Sequence, residues 1–175
     1  APIASRKILC SMYKQTACQM VTQLKAGDIS PTQAIEAAFD RIDAVESQVR
    51  ALPTLCKDRA LAAAAALETN TALQNDRRDD PAWLAGLPIA IKDLSDVEGV
   101  RSTHGSPIFA DLIPDASDLL VEHLENNGAI VIGKSNTPEF GAGGNSFNEV
   151  FPSTVTPWDT RMTSGGSSGG AAASL

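Results

Sequence analysis

Two features of this sequence invite chemistry: a lysine that closes an apolar run, and a pair of serines set among glycines. The serines, Ser167 and Ser168, lie in Thr163-Ser164-Gly165-Gly166-Ser167-Ser168-Gly169-Gly170. Glycine permits positive φ and close approach, so successive backbone N–H groups can line a concave loop. Hydroxyls held on such a loop are well placed to pass a proton or grip an acyl group. Ala171-Ala172-Ala173 reads as the first turn of a helix whose positive end faces the loop. A flexible Gly/Ser linker has no need to run into such a helix-forming segment. The lysine, Lys92, follows Leu87-Pro88-Ile89-Ala90-Ile91 and precedes Asp93. Burial disfavours the charged ammonium, so a lysine desolvated here could act as a neutral general base. The same residues could instead form a buried salt bridge to Asp93 or Asp96. Lys134, after Ala129-Ile130-Val131-Ile132-Gly133, occupies a similar position, and this reasoning does not separate the two lysines.

Two familiar loops are poor matches. A phosphate-binding loop requires Lys-Ser or Lys-Thr after its glycines, and neither follows here. Gly165-Gly166-Ser167-Ser168-Gly169 satisfies the G-x-S-x-G pattern of a nucleophile elbow, which needs a strand directly before it. Pro157-Trp158-Asp159-Thr160 reads as a turn instead. The elbow's Asp and His partners should also lie downstream, where the sequence offers neither.

Elements able to position these groups can be read from spacing. Leu9, Tyr13, Ala17, Met20, Val21 and Leu24 mark a helical face over 8–25, closed by Gly27-Asp28. Ser30, Pro31 and Gln33 form an N-cap, first helical position and capping-box partner. That second helix runs to about residue 49 with Ile35, Ala38, Phe39, Ile42 and Val45 inward. A third is expected over 58–67, and the polar stretch 69–81 as a surface loop. Residues 87–91 and 129–132 read as buried strands. Between them Asp115 or Ser117 caps a helix to about residue 125, with Leu119, Leu120 and Leu124 inside. Strand, helix, strand in this order implies a βαβ-like unit and a largely parallel sheet. Residues 138–144 form a short turn opening into a glycine-rich loop, and 145–160 are irregular.

At 175 residues, 43% hydrophobic and 20% charged, the chain fits a soluble globular domain with a sizeable core. A net charge of −7 argues against a nucleic-acid-binding surface. No run suffices for a membrane span, and Ser11, Lys14, Gln15 and Thr16 interrupt any secretory apolar segment. Cys10, Cys18 and Cys56 lack metal spacing and are odd in number, so a reduced, cytoplasmic setting is expected. No metal or cofactor is expected. His104 and His123 read as surface or packing residues.

The segments 87–93, 128–134 and 165–170, in this order and spacing, closely resemble the amidase signature family. Ser30-Pro31 and Arg41-Ile42 also resemble its N-terminal region, so the likeness covers nearly the whole chain. It implies an α/β/α fold with a mixed sheet, of which this chain is the N-terminal part. Residues 1–80 would be a helical region and 81–175 the first part of the core, one domain completed by residues beyond 175. The family hydrolyses carboxamides with a Ser–cis-Ser–Lys triad. By position, Lys92 resembles the base and Ser167 the relay serine, whose preceding peptide bond is cis. Ser168 resembles a supporting hydrogen-bonding residue, and Phe140, Gly141, Gly143 and Gly144 lie where relatives line the acyl site. Lys92 should then be buried, neutral and within hydrogen-bond reach of Ser167.

The family's acyl-forming serine falls in a downstream Gly-Gly-Ser segment that these residues do not include. Thr156-Pro157-Trp158 also departs from the usual Asn-Pro-Trp. The implied partners are a small-molecule amide and the remainder of the same enzyme, with no nucleic acid or membrane and homo-oligomerisation left open. An amidase-like component of a tRNA-dependent amidotransferase is the alternative, and a non-catalytic fragment a third.

Overall fold

The computed structural model describes residues 12–175; Leu9 and Cys10, and the expected start of the first helix, lie outside the described residues. Helix α1 is Ala17–Ala26, shorter than the apolar spacing implies. Its start is fixed by a capping box: Gln19 N–H donates to Thr16 Oγ1 (3.2 Å) and Thr16 N–H to Gln19 Oε1 (2.9 Å). A local hydrogen-bond pair thus overrides a periodicity that continues through the cap. Helix α2, Pro31–Val49, has the expected box, with Gln33 N–H donating to Ser30 Oγ and Ser30 N–H to Gln33 Oε1. Ile35, Phe39 and Ile42 are buried as the spacing implies, while Ala38 and Val45 are half-buried.

After strand β1, Thr54–Leu55, comes helix α3, Lys57–Thr69, whose buried face is Ala60 and Ala64. The polar stretch expected as a loop contains a further helix, α4, Thr71–Arg77. Asn70 Oδ1 accepts from Leu73 N–H at its start (3.1 Å). None of its residues is buried, so it leaves no apolar stripe to read.

The described residues group into two compact units, each discontinuous in sequence. The first takes residues up to Asp43, Lys57–Ile89 and His123–Ile132. Its core cluster is Met12, Leu24, Ile29, Ala34, Trp83 and Ala85, with Met20, Ala37 and Leu67 packed against it. Gly128, at φ 82°, is required there, since a Cβ would come within 2.7 Å of the Trp83 ring.

The second unit takes Ala44–Cys56, Ala90–Glu122 and Gly133–Leu175. Alongside buried apolar residues such as Leu52, Ile91 and Val97, its interior holds many polar groups: Asp93, Ser102, Thr103, Ser106, Lys134, Ser135, Asn136, Thr137, Ser146 and Thr154 are all buried. Burying such groups is costly unless they are hydrogen-bonded, and Ser135 Oγ is an exception with no partner among the described residues. Asn136 illustrates the rule: Nδ2 donates to Pro152 O and Thr154 Oγ1, while Oδ1 accepts from Thr137 N–H and Asn148 Nδ2.

Strands β2 (Pro88–Lys92) and β3 (Ile130–Ser135) join β1 in a three-stranded sheet ordered β1-β3-β2. β1 is antiparallel to β3, with Thr54 opposite Lys134. Ile130 N–H donates to Leu87 O (2.9 Å) at one end and Asp93 N–H to Ser135 O (3.0 Å) at the other. β2 and β3 therefore run in the same direction, which makes the sheet mixed. The central strand β3 is buried throughout, whereas β2 is fully buried only at Ile91. An apolar run does not distinguish a central strand from an edge.

Helix α5, Leu119–Asn126, lies between β2 and β3 in sequence. It begins after both expected caps. The Asp118 carbonyl accepts from Val121 and Glu122, while Ser117 Oγ is occupied by Glu98 N–H and Asp118 Oδ2 by Asp96 N–H. Its buried residue is Val121; Leu119 (82% exposed) and Leu120 (60%) point outward and Leu124 is half-buried, contrary to the expected inner face.

Residues 145–160 are not wholly irregular. β4 (Val155–Thr156) and β5 (Asp159–Thr163) form an antiparallel hairpin whose side chains are mostly exposed. Its polar sequence gives no alternating pattern to read. The chain closes with α6, Gly169–Ser174, the helix anticipated after the serines. No helix among the described residues is long and apolar enough to cross a membrane.

Candidate active site

The end of β2 carries Lys92 to the serine loop. Its Nζ lies 2.9 Å from Ser167 Oγ and 2.9 Å from Ser168 Oγ. Lys92 is half-buried where full burial was expected; Ser167 is half-buried and Ser168 exposed. Desolvation holds the Lys92 amine below the usual lysine range, with no opposing carboxylate to restore it. Two neutral hydroxyls can accept from the ammonium or donate to the amine, but neither balances a charge. The arrangement suits a base that accepts a proton from a serine.

The loop is held from several sides. The Gly166–Ser167 peptide bond is cis. Thr137 Oγ1 donates to Ser167 O (3.1 Å), Ser146 N–H to Gly165 O (2.8 Å), and Gly169 N–H to Ser146 Oγ (2.8 Å). Gly166 is needed for close approach, since a Cβ would lie 2.8 Å from Asn145 N and 3.0 Å from Gly143 O. The backbone at Gly143 therefore adjoins the serine loop, and Gly144 O lies near Gly165. Phe140 and Gly141 stand differently. The exposed Phe140 ring meets Phe109 edge-on at 6.2 Å, and a Cβ on Gly141 would strike Leu94.

Lys134 has the salt bridge that sequence could assign to either lysine. It is fully buried, and its Nζ lies 3.1 Å from Asp93 Oδ1, 2.7 Å from Ser95 O and 2.6 Å from Ser102 Oγ. Asp93 also accepts from Thr103 N–H and Oγ1. Burial pulls the Lys134 amine down, opposed by Asp93 and more remotely by Asp96 and Asp118. His104 Nε2 lies 3.2 Å from Asp96 Oδ1, and its carbonyl accepts from Phe140 N–H, so its role is local packing and support. His123 is exposed.

Strand β5 directly precedes the serine loop, so the turn assigned to 157–160 does not exclude a nucleophile elbow. The elbow remains a poor match because the neighbour of Ser167 is a lysine amine. Among the described residues, no group of His, Cys, Asp and Glu is arranged to hold a metal.

A family model described as Amidase matches residues 33–175. The chain belongs to the amidase family. Curated relatives of this amidase-family chain include a glutamyl-tRNA(Gln) amidotransferase subunit from Carboxydothermus hydrogenoformans, 38% identical over 94% of this chain and 33% of the relative. The protein of the same name from Anaeromyxobacter dehalogenans is 41% identical over 84% of this chain and 29% of its own length. Among solved structures, a bacterial aryl acylamidase of the amidase signature family superposes with a TM-score of 0.79. It is 30% identical, over 91% of this chain and 32% of that one. A structure concerning a vestigial protein complex and the origins of an s-triazine catabolic enzyme gives 0.82 at 32% identity, covering 92% and 35%. The chain thus spans about a third of the length of these relatives.

Sequence reasoning missed Thr137 and Ser146 as supports of the serine loop, and Asn136, whose carbonyl accepts from Gly170 N–H (3.2 Å). The signal for Asn136 and Thr137 was a polar run, Ser135-Asn136-Thr137, where exposure is the ordinary assumption; Ser146 carries none.

Proposed function

We propose that these residues supply the base and relay of an enzyme that hydrolyses a carboxamide to a carboxylic acid and ammonia. The observation carrying this reading is the Lys92 amine 2.9 Å from Ser167 Oγ, with desolvation holding it below the usual lysine range. Lys92 takes the Ser167 hydroxyl proton as Ser167 takes that of a nucleophilic serine. The nucleophile attacks the amide carbonyl, and the proton returns through Ser167 to the departing ammonia. Water then releases the acid from the acyl-enzyme by the same relay. Ser168 steadies Lys92, and Gly143 and Gly144, with Phe140 and Gly141 beyond them, line the acyl side. The nucleophile is assigned to polypeptide outside these 175 residues, in keeping with relatives about three times as long. By this assignment the segment alone has no amidase activity.

A second reading is favoured by the names of the curated relatives: the same chemistry would serve a glutamyl-tRNA(Gln) amidotransferase. The two readings share base and relay and differ in the fate of the ammonia. Ammonia release from simple carboxamides by the complete enzyme alone supports the first. Activity that requires companion subunits together with glutamyl-tRNA(Gln) supports the second. The base assignment is tested by Lys92→Ala in the complete enzyme: kcat should collapse with little change in KM, and a fully active variant refutes it.

A further inference from the structure

We propose that Lys134 is a positioning residue for Lys92: it claims the Asp93 carboxylate and leaves Lys92 facing hydroxyls alone. The proposal rests on reading Lys92 as the base. Lys92 and Asp93 are neighbours in sequence, so the base is followed at once by an acid that could have taken its proton. β2 ends at Lys92 and Asp93 opens the turn that follows, where its carboxylate finds partners other than Ser167 and Ser168. There it meets Thr103 N–H, Thr103 Oγ1 and Lys134 Nζ, with 1% of the residue exposed.

The three N–H groups of an ammonium match the three oxygens around Lys134 Nζ, those of Asp93, Ser95 and Ser102. Asp96 and Asp118 also act on Lys134, and Asp96 is paired with His104. The carboxylates of this region thus answer to Lys134 or His104. Among the described residues, the side-chain partners of Lys92 Nζ are Ser167 and Ser168. Without the Lys134 charge, Thr103 would still hold Asp93, and its uncancelled negative field would favour the ammonium form of Lys92. Fewer molecules would then carry a neutral base at a given pH.

The test titrates Lys92 directly in the complete enzyme, by competitive acetylation across pH with mass-spectrometric readout of the Lys92 peptide. Lys134→Met should move the Lys92 titration to higher pH. The double variant Lys134→Met/Asp93→Asn, which removes both charges, should restore it. The acid limb of kcat/KM should follow the same pattern, moving to higher pH in the single variant and back in the double. A purely structural Lys134 would lower Tm in the single variant and leave both titrations in place. Should Lys134→Met not fold, Asp93→Asn serves instead: its uncancelled Lys134 charge should lower the Lys92 titration. An unmoved Lys92 titration in the variants that fold overturns the proposal. A shifted Lys92 titration with an unmoved rate profile leaves the positioning intact and refutes Lys92 as the base. Lys92→Ala inactivity with an unmoved titration does the reverse.

Discussion

Two neighbouring parallel strands each deliver a lysine near their C-terminal end, and the two lysines meet opposite surroundings. Lys134, on the central strand β3, is fully buried and held by a carboxylate, a carbonyl and a hydroxyl. Lys92, on β2, is half-buried and meets two hydroxyls. Burial pulls both amines down, but only Lys134 has carboxylates opposing that pull. Depth alone therefore does not make a lysine a base. On the proposed reading, what matters is desolvation without a counter-charge, and the less buried lysine is the one that has it.

The largest effect that tests this contrast is kinetic. In the complete enzyme Lys92→Ala should lower kcat by about 10²–10⁴-fold, the range for loss of a general base, with little change in Tm. The wild-type rate should fall as pH drops through the lowered Lys92 pKa, because the protonated amine cannot accept from Ser167. A rate independent of pH on the acid side breaks the assignment.

Lys134→Met should act on the other quantity. Removing one partner of a buried pair leaves Asp93 uncompensated at a cost of about 3–5 kcal/mol, which thermal or denaturant unfolding would register. If Lys92→Ala proved the more destabilising and Lys134→Met the less, the contrast between the two sites would be inverted. Ser102→Ala is a milder probe of the same cluster. It removes one of three acceptors from Lys134, and a cost of about 1–3 kcal/mol in unfolding free energy is expected.

The contrast was only half legible in the sequence. Both lysines stood out because charged residues at the ends of apolar runs need a partner, and spacing alone left their roles interchangeable. What separated them lies in the loops after each strand: Ser95, Ser102 and Thr103 converge on Lys134 and Asp93 from positions that carry no periodic signal. The strand–helix–strand order and the helix after the serines were readable from apolar and alanine runs, whereas the caps and inner face of α5 were not. The hairpin β4–β5 and helix α4 were not, because exposed polar elements bury no face that would imprint a period. Among the described residues β2 lies at the edge of the sheet, and this too was hidden, since its residues are as apolar as those of a central strand.

Ser168→Ala should have the smallest effect. Ser168 lies as close to Lys92 Nζ as Ser167 does, 2.9 Å in each case, so distance alone does not rank the two hydroxyls. Their surroundings do. Ser167 is half-buried and its carbonyl is fixed by Thr137, whereas Ser168 is exposed and its side chain makes no capping bond to α6. Water can replace an exposed hydroxyl beside the amine, and the loss should be about 1 kcal/mol, a several-fold fall in kcat. Tm and the acid limb should stay where they are, because the amine gains no counter-charge. Ser167→Ala interrupts the proton path itself and should approach the Lys92→Ala rate. A Ser168→Ala enzyme as slow as Ser167→Ala would mean that the relay runs through the exposed serine.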